Sequence, residues 1–129
     1  MIGQVSEYGE PLIEVRVYGP TGIQAVVTAL IDTGYTDYLT LSPAVIVALG
    51  LKKTSWGTAV LADGSETVFD IYSGWVDWHG RRKRIPVHEV ETDSLMGMAM
   101  LDDSTLFIAC QPGGAVEIIQ TLPPPAPAP

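Results

Sequence analysis

The residue that raises a chemical question is Asp32, in the stretch "TALIDTGYTDYLTLSP" from Thr28 to Pro43. It ends an apolar run, is followed by Thr33 and Gly34, and then gives way to strand-like residues. A carboxylate at the end of a buried strand is costly unless it is paired or hydrogen-bonded. One reading is an Asx-turn, in which Asp-Thr-Gly turns the chain and Gly34 supplies a backbone angle that other residues resist. The other is a working carboxylate that takes a proton from water during hydrolysis. By average residue usage a D-T-G triplet arises by chance in about one chain in thirty of this length, so context must decide. The context is an apolar strand directly before the triplet and, much later, "DSLMGMAMLDD", where Leu95, Met96 and Gly97 precede another apolar segment.

Other groups offer less. His79 and His88 flank a basic stretch with neither an HExxH spacing nor a cysteine cluster, so they read as surface or strand-edge histidines, and no metal or cofactor is expected. Neither has a motif partner for nucleophilic catalysis. "GRRKR", Gly80 to Arg84, holds four of the seven basic residues without interleaved aromatics and reads as a solvated hairpin turn in preference to a nucleic-acid patch, with an acidic substrate or partner as the other functional alternative. "LDDST", Leu101 to Thr105, lacks the alternating oxygen ligands of a calcium loop and reads as a turn or helix end. Trp56, Trp75 and Trp78 fit cross-strand packing better than a peptide groove. Cys110 is the single cysteine, so no intrachain disulfide forms, and it reads as a small apolar residue near a strand end.

The elements that must position Asp32 are mostly strands. The 129 residues suffice for one domain, expected over residues 1–122. "LIEVRVYG", Leu12 to Gly19, alternates apolar and polar residues and stops at "GPTG". "IQAVVTALI", Ile23 to Ile31, is nearly all apolar, as in a strand buried on both faces, and pairs with the first as a hairpin. "YLTLS" is a short strand. "SPAVIVALG" carries helix grammar, with Ser42 as N-cap, Pro43 at the first position and Gly50 as stop. Two strands flank Asp63-Gly64, whose hairpin tip runs from Ala62 to Ser65, with both turn positions expected at positive φ. "RRKRIPVHEV", "STLFIAC" and "GAVEIIQTL" complete about eight strands around one short helix. The expected class is all-β, a sandwich or small closed barrel. Residues 123–129 have the composition of a disordered polyproline II tail.

Charge limits the partners. Fifteen acidic against seven basic residues leave a net charge of -8, which disfavours nucleic acid and anionic membrane. No segment reaches the roughly 18 uninterrupted apolar residues of a membrane span, and no signal-like N-terminus is present. A soluble, cytoplasmic protein is the expectation.

With Leu30-Ile31-Asp32-Thr33-Gly34 and Leu95-Met96-Gly97, the chain resembles the single-lobe, retropepsin-like (clan AA) aspartic proteases. The resemblance covers approximately Leu12 to Leu122, in the order strand, D-T-G loop, short helix, flap-like hairpin, second signature and closing strand. "DTGYTDYLTLSP" departs from the commoner pattern, in which Ala or Ser follows the glycine, and resembles a prokaryotic branch with an aromatic there and "LTL" leading to a proline. The resemblance implies that Asp32 is the catalytic carboxylate, that Thr33 reaches the partner loop, and that Gly34 offers its N–H to the carboxylate. It also implies that Tyr35 and the flap tip, Ala62, Asp63, Gly64 and Ser65, meet a peptide substrate, and that Leu95, Met96 and Gly97 form the structural signature.

Carboxylate-catalysed peptide hydrolysis needs two aspartates. The chain holds one D-T-G and is too short for a second lobe, so the missing Asp is expected from a second copy related by two-fold symmetry. The leading expectation is therefore a homodimeric aspartic endopeptidase acting on peptides or proteins. The alternative is a non-catalytic interaction or dimerisation module that keeps the same fold.

Overall fold

The computed structural model describes residues 1–121, so the proline-rich segment expected at 123–129 lies outside the described residues. Strand β1, Ile2–Val5, opens the chain, and β2, Pro11–Tyr18, follows. The alternation in β2 buries Ile13, Val15 and Val17 and turns Glu14 and Arg16 outward. Strand β3, Gln24–Ile31, pairs antiparallel with β2, with Leu12 opposite Leu30 and Tyr18 opposite Gln24. It was expected to be buried on both faces, but it alternates. Val27, Ala29 and Ile31 enter the core, whereas Gln24 and Thr28 are exposed and Val26 is 51% exposed. Nothing among the described residues covers the outer face of this hairpin, so β-branched composition here reflects strand preference and not two-sided burial.

Strand β4, Leu39–Leu41, is wholly buried and leads into helix α1, Pro43–Leu49. Ser42 Oγ accepts from the Val45 N–H, and Gly50 ends the helix at φ 68°. Leu51 N–H then reaches back to the Ile46 carbonyl, closing a Schellman-type end that seats Ile46 and Leu49 in the core.

Strands β5, Lys52–Val60, and β6, Glu66–Trp78, form a long hairpin whose outer half is largely solvated. Its connection differs from the two-residue turn expected around Asp63-Gly64. Only Gly64 has positive φ, at 84°. Gly64 N–H donates to the Leu61 carbonyl and Leu61 N–H to the Ser65 carbonyl, which is a turn followed by a bulge-type glycine. The two-residue turn with both positions at positive φ lies elsewhere, at His79 (49°) and Gly80 (77°), joining β6 to β7, Arg81–Glu89. The basic residues expected in a turn therefore stand on a strand. Arg81 pairs with Trp78, and Arg84 with Trp75.

Strand β8, Leu95–Met96, is only two residues long, and β9, Ser104–Ile108, and β10, Ala115–Gln120, end the described chain. Leu101, Asp102 and Asp103 form the expected turn before β9, and Ser104 and Thr105 already belong to the strand. The ten strands, two more than expected, form one sheet in the order β5-β6-β7-β4-β8-β3-β2-β1-β10-β9. Val17 and Tyr18 of β2 also pair with Val76 and Trp75 of β6. That extra pairing closes six strands, β2, β3, β8, β4, β7 and β6, into a barrel packed with Ile13, Leu39, Leu41, Ile85, Met96 and Met100. The class is all-β with one short helix. Among the described residues no helix is long and apolar enough to cross a membrane.

Candidate active site

Asp32 leaves the barrel where β3 ends. Strand β8 runs parallel to β3, with Leu95 beside Leu30 and Met96 beside Ile31. Leu30 N–H donates to the Ser94 carbonyl at 2.8 Å and Asp32 N–H to the Met96 carbonyl at 2.9 Å. Beyond Asp32 the chain turns at once, Tyr35 N–H donating to the Asp32 carbonyl at 3.1 Å. Gly34 N–H donates to Asp32 Oδ1 at 2.9 Å and holds the carboxylate against its own loop. Asp32 is partly buried, and Thr33 and Gly34 are exposed. Gly34 does not occupy the left-handed region expected for it. What the glycine provides is room, because a Cβ there would stand 3.2 Å from Asp32 Oδ1.

The second signature is built into the same place. Strand β8 lies between β3 and β4, and Leu95 N–H donates to the buried Thr40 Oγ1 at 2.7 Å. Gly97 N–H donates to the Tyr38 carbonyl at 3.0 Å, Met98 N–H to that of Tyr35 at 2.8 Å, and Ala99 N–H to that of Asp37 at 3.1 Å. The loop after D-T-G therefore rests on the backbone after L-M. Only glycine permits this approach, since a Cβ on Gly97 would lie 2.3 Å from the Asp37 carbonyl oxygen and 2.6 Å from that of Tyr35.

The β5–β6 hairpin stands over a cavity of about 610 Å³, whose walls include Thr58, Leu61 and Phe69 of the hairpin and Tyr35, His88 and Leu95 of the barrel. Neither Asp32 nor the tip residues Ala62, Asp63, Gly64 and Ser65 form part of its wall. The tip is exposed and orders itself locally. Asp63 Oδ1 accepts from the Ser65 hydroxyl and from the Ser65 N–H, and these two bonds hold its carboxyl below its ordinary range.

The cavity contains His88, expected at the surface or at a strand edge but standing in a strand paired on both sides. The His88 side chain is only 11% exposed. Its Nδ1 lies 2.9 Å from Tyr35 Oη, its ring packs 4.7 Å from that of Phe69, and Asp37 Oδ2 is 3.9 Å away. Burial lowers the His88 pKa, and Asp37 partly opposes it. Burial, then Asp37, pushes the Tyr35 phenol well above its ordinary value. At neutral pH a neutral phenol and a neutral imidazole thus share this hydrogen bond, whose direction follows the tautomer of the ring. Tyr35 and His88 stand 53 positions apart in the chain, with no periodic signal linking them. They meet because β4 pairs parallel with β7, Thr40 opposite His88.

Trp78 is buried, Trp56 is 62% exposed, and Cys110 is exposed just beyond β9. Comparison with protein-family models, with curated proteins and with solved structures gives no significant match. The functional reading rests on the residues and their geometry.

Proposed function

We propose that the protein is a homodimeric aspartic endopeptidase in which Asp32 of each of two copies supplies one carboxylate. The observation that carries the reading is the junction at the end of β3. There the Asp32 N–H bonds to Met96, its carboxylate accepts from Gly34, and Gly97 seats the following loop, so the two motifs that resemble the retropepsin-like signatures meet at one point. A closed barrel behind this junction and a solvated hairpin beside it agree with a single-lobe acid protease.

Within the proposal the chemistry needs both copies. Two carboxylates a few ångströms apart share one proton over the acidic to neutral range. The ionised one takes a proton from water as the water oxygen attacks the peptide carbonyl carbon, and the protonated one gives its proton to the carbonyl oxygen. Collapse of the tetrahedral diol breaks the C–N bond as one carboxyl gives its proton to the amine nitrogen and the other carboxylate takes a proton from a diol hydroxyl, which restores the singly protonated pair. Gly34 N–H orients the carboxylate throughout. On this reading the exposed Thr33 contacts the other copy, and Tyr35, bonded to His88 in the cavity wall, meets the substrate beneath the hairpin.

A second reading has its own observation. The bond from Gly34 N–H to Asp32 Oδ1, with that from Tyr35 N–H to the Asp32 carbonyl, is also what a turn-forming Asp makes for itself. On that reading the chain is a non-catalytic interaction or dimerisation module. Sedimentation combined with peptide digestion separates the two: the endopeptidase reading requires a dimer at micromolar concentration and cleavage that falls away on dilution into monomer. Full cleavage by a monomer, or a stable dimer without cleavage at any pH, contradicts it.

A further inference from the structure

The cavity under the β5–β6 hairpin, at about 610 Å³, has the size of ligand sites, which run to roughly 300–1,000 Å³. It opens beside the Asp32 junction. Its wall includes Tyr35, whose N–H bonds to the Asp32 carbonyl, and Leu95, the neighbour of Leu30. One part of that wall is apolar, from Leu61, Phe69, Val90 and Leu95. The Phe69 ring is fixed in place, packed 4.7 Å from that of His88 and covering Gly57, where a Cβ would stand 2.7 Å from the ring. Such a surface suits an aliphatic chain.

The rest of the wall is acidic. Asp37, Asp70, Glu89 and Glu91 line it, and no lysine or arginine does. Lys53, outside the wall, holds Asp70 at 3.0 Å, and its pKa is raised first by that hydrogen bond and then by the Asp70 charge, with Glu89 adding. One cation thus serves two of the four carboxylates. Asp37, its side chain half exposed, has His88 as its only ion-pair partner among the described residues, at 3.9 Å. Burial keeps that imidazole neutral at neutral pH, so the Asp37 charge is not offset. Glu91 enters no ion pair among the described residues. Unopposed carboxylates around an apolar hollow complement a ligand that is apolar along its length and cationic at its end. Lysine and arginine side chains have that build.

We infer that this cavity is a specificity subsite that takes a lysine or arginine side chain of a bound peptide, with its stem along Phe69 and Leu95 and its cation received by Asp37 and Glu91. The inference rests on the endopeptidase reading for calling that peptide a substrate. Asp32 forms no part of the wall, so the basic residue stands along the peptide from the cleaved bond and not at it. The same field turns away an acidic side chain.

The test has a binding arm and a cleavage arm, both on the full chain. Peptides of the form acetyl-Ala-Ala-Xaa-Ala-Ala-amide, with Xaa arginine, lysine, norleucine or glutamate, are titrated at pH 7 and fixed ionic strength. The amide signals of Tyr35, Leu61 and Phe69 are followed in a proton–nitrogen spectrum. Expected is a saturable shift in which the arginine and lysine peptides bind about fivefold or more tighter than the norleucine peptide, the upper end for a solvent-exposed ion pair. The glutamate peptide should not bind. Asp37→Asn and Glu91→Gln together should erase the advantage, and Glu14→Gln, outside the cavity, should leave it. In a peptide-library digest, wild type should cleave most readily where a basic residue lies a few positions from the cleaved bond. Cleavage without that preference, equal binding of the arginine and norleucine peptides, or an arginine preference kept by the folded double variant overturns the inference. So does free spermidine binding as tightly as the arginine peptide, which would make the ligand a small amine. Selective arginine binding without cleavage at any pH sustains the cavity as a basic-peptide site and contradicts the endopeptidase reading instead.

Discussion

Around Asp32 the residues divide into those that hold the carboxylate and those that hold the loop. Gly34 does the first through its N–H and its missing side chain. Tyr35 and His88 do the second, and they tie the loop to a titrating group. Because burial lowers the pKa of folded His88 below its ordinary 6.5, the unfolded chain takes up this proton first as the pH falls. Stability is therefore undiminished above that value and declines through it, with His79, also lowered, adding in the same direction. His88→Gln keeps a group that can hydrogen-bond the phenol and removes the titration. Its loss of stability between about pH 7.5 and pH 5.5, read from urea unfolding, should be smaller than that of the wild type. An equal loss would mean that His88 is not buried as neutral imidazole.

Elements place these residues, and here the sequence was legible in part. Capping chemistry at Ser42, Pro43 and Gly50 marks the helix because each residue acts locally. The β2–β3 and β5–β6 hairpins are legible for the same reason. Strand β8 is not, since two residues carry no period, and its pairing is set by distant partners at Leu30 and Thr40. Strand β1 is missed likewise, a four-residue strand fitted against β2 so closely that a Cβ on Gly3 would meet the Leu12 carbonyl oxygen at 2.0 Å. D-T-G and L-M-G were each legible as motifs, whereas their meeting, like that of Tyr35 with His88, was not foreseen. Two outcomes belong at this scale. Gly97→Ala should cost about 1–3 kcal/mol in urea unfolding, the usual penalty of forcing a methyl into a filled space, because two backbone carbonyls stand in its way. A neutral result would show that the loop after D-T-G is free to lift. In the hairpin, amide exchange at Asp63 and Gly64 should be far faster than in β2 or β3, since its tip has no cover. Protection equal to the core strands would place another body over it.

For the whole molecule the question is whether one copy is half of a site. Asp32 is partly open to solvent at the barrel's end, and no other D-T-G exists in the chain. The outer face of β3 and the neighbouring Ile2, Phe107 and Ile119 leave apolar side chains exposed that nothing within the described chain covers. The most direct measurement is peptide cleavage and dimer dissociation for wild type and Asp32→Asn, side by side, between about pH 4 and pH 8, the range over which a coupled carboxylate pair exchanges its shared proton. The account predicts that wild-type cleavage peaks below neutrality, and that Asp32→Asn abolishes it while dimerising as well as or better than wild type, because Asn makes the same turn without the repulsion. An Asn variant that still cleaves, or wild-type cleavage that climbs steadily toward alkaline pH, would contradict the paired-aspartate account.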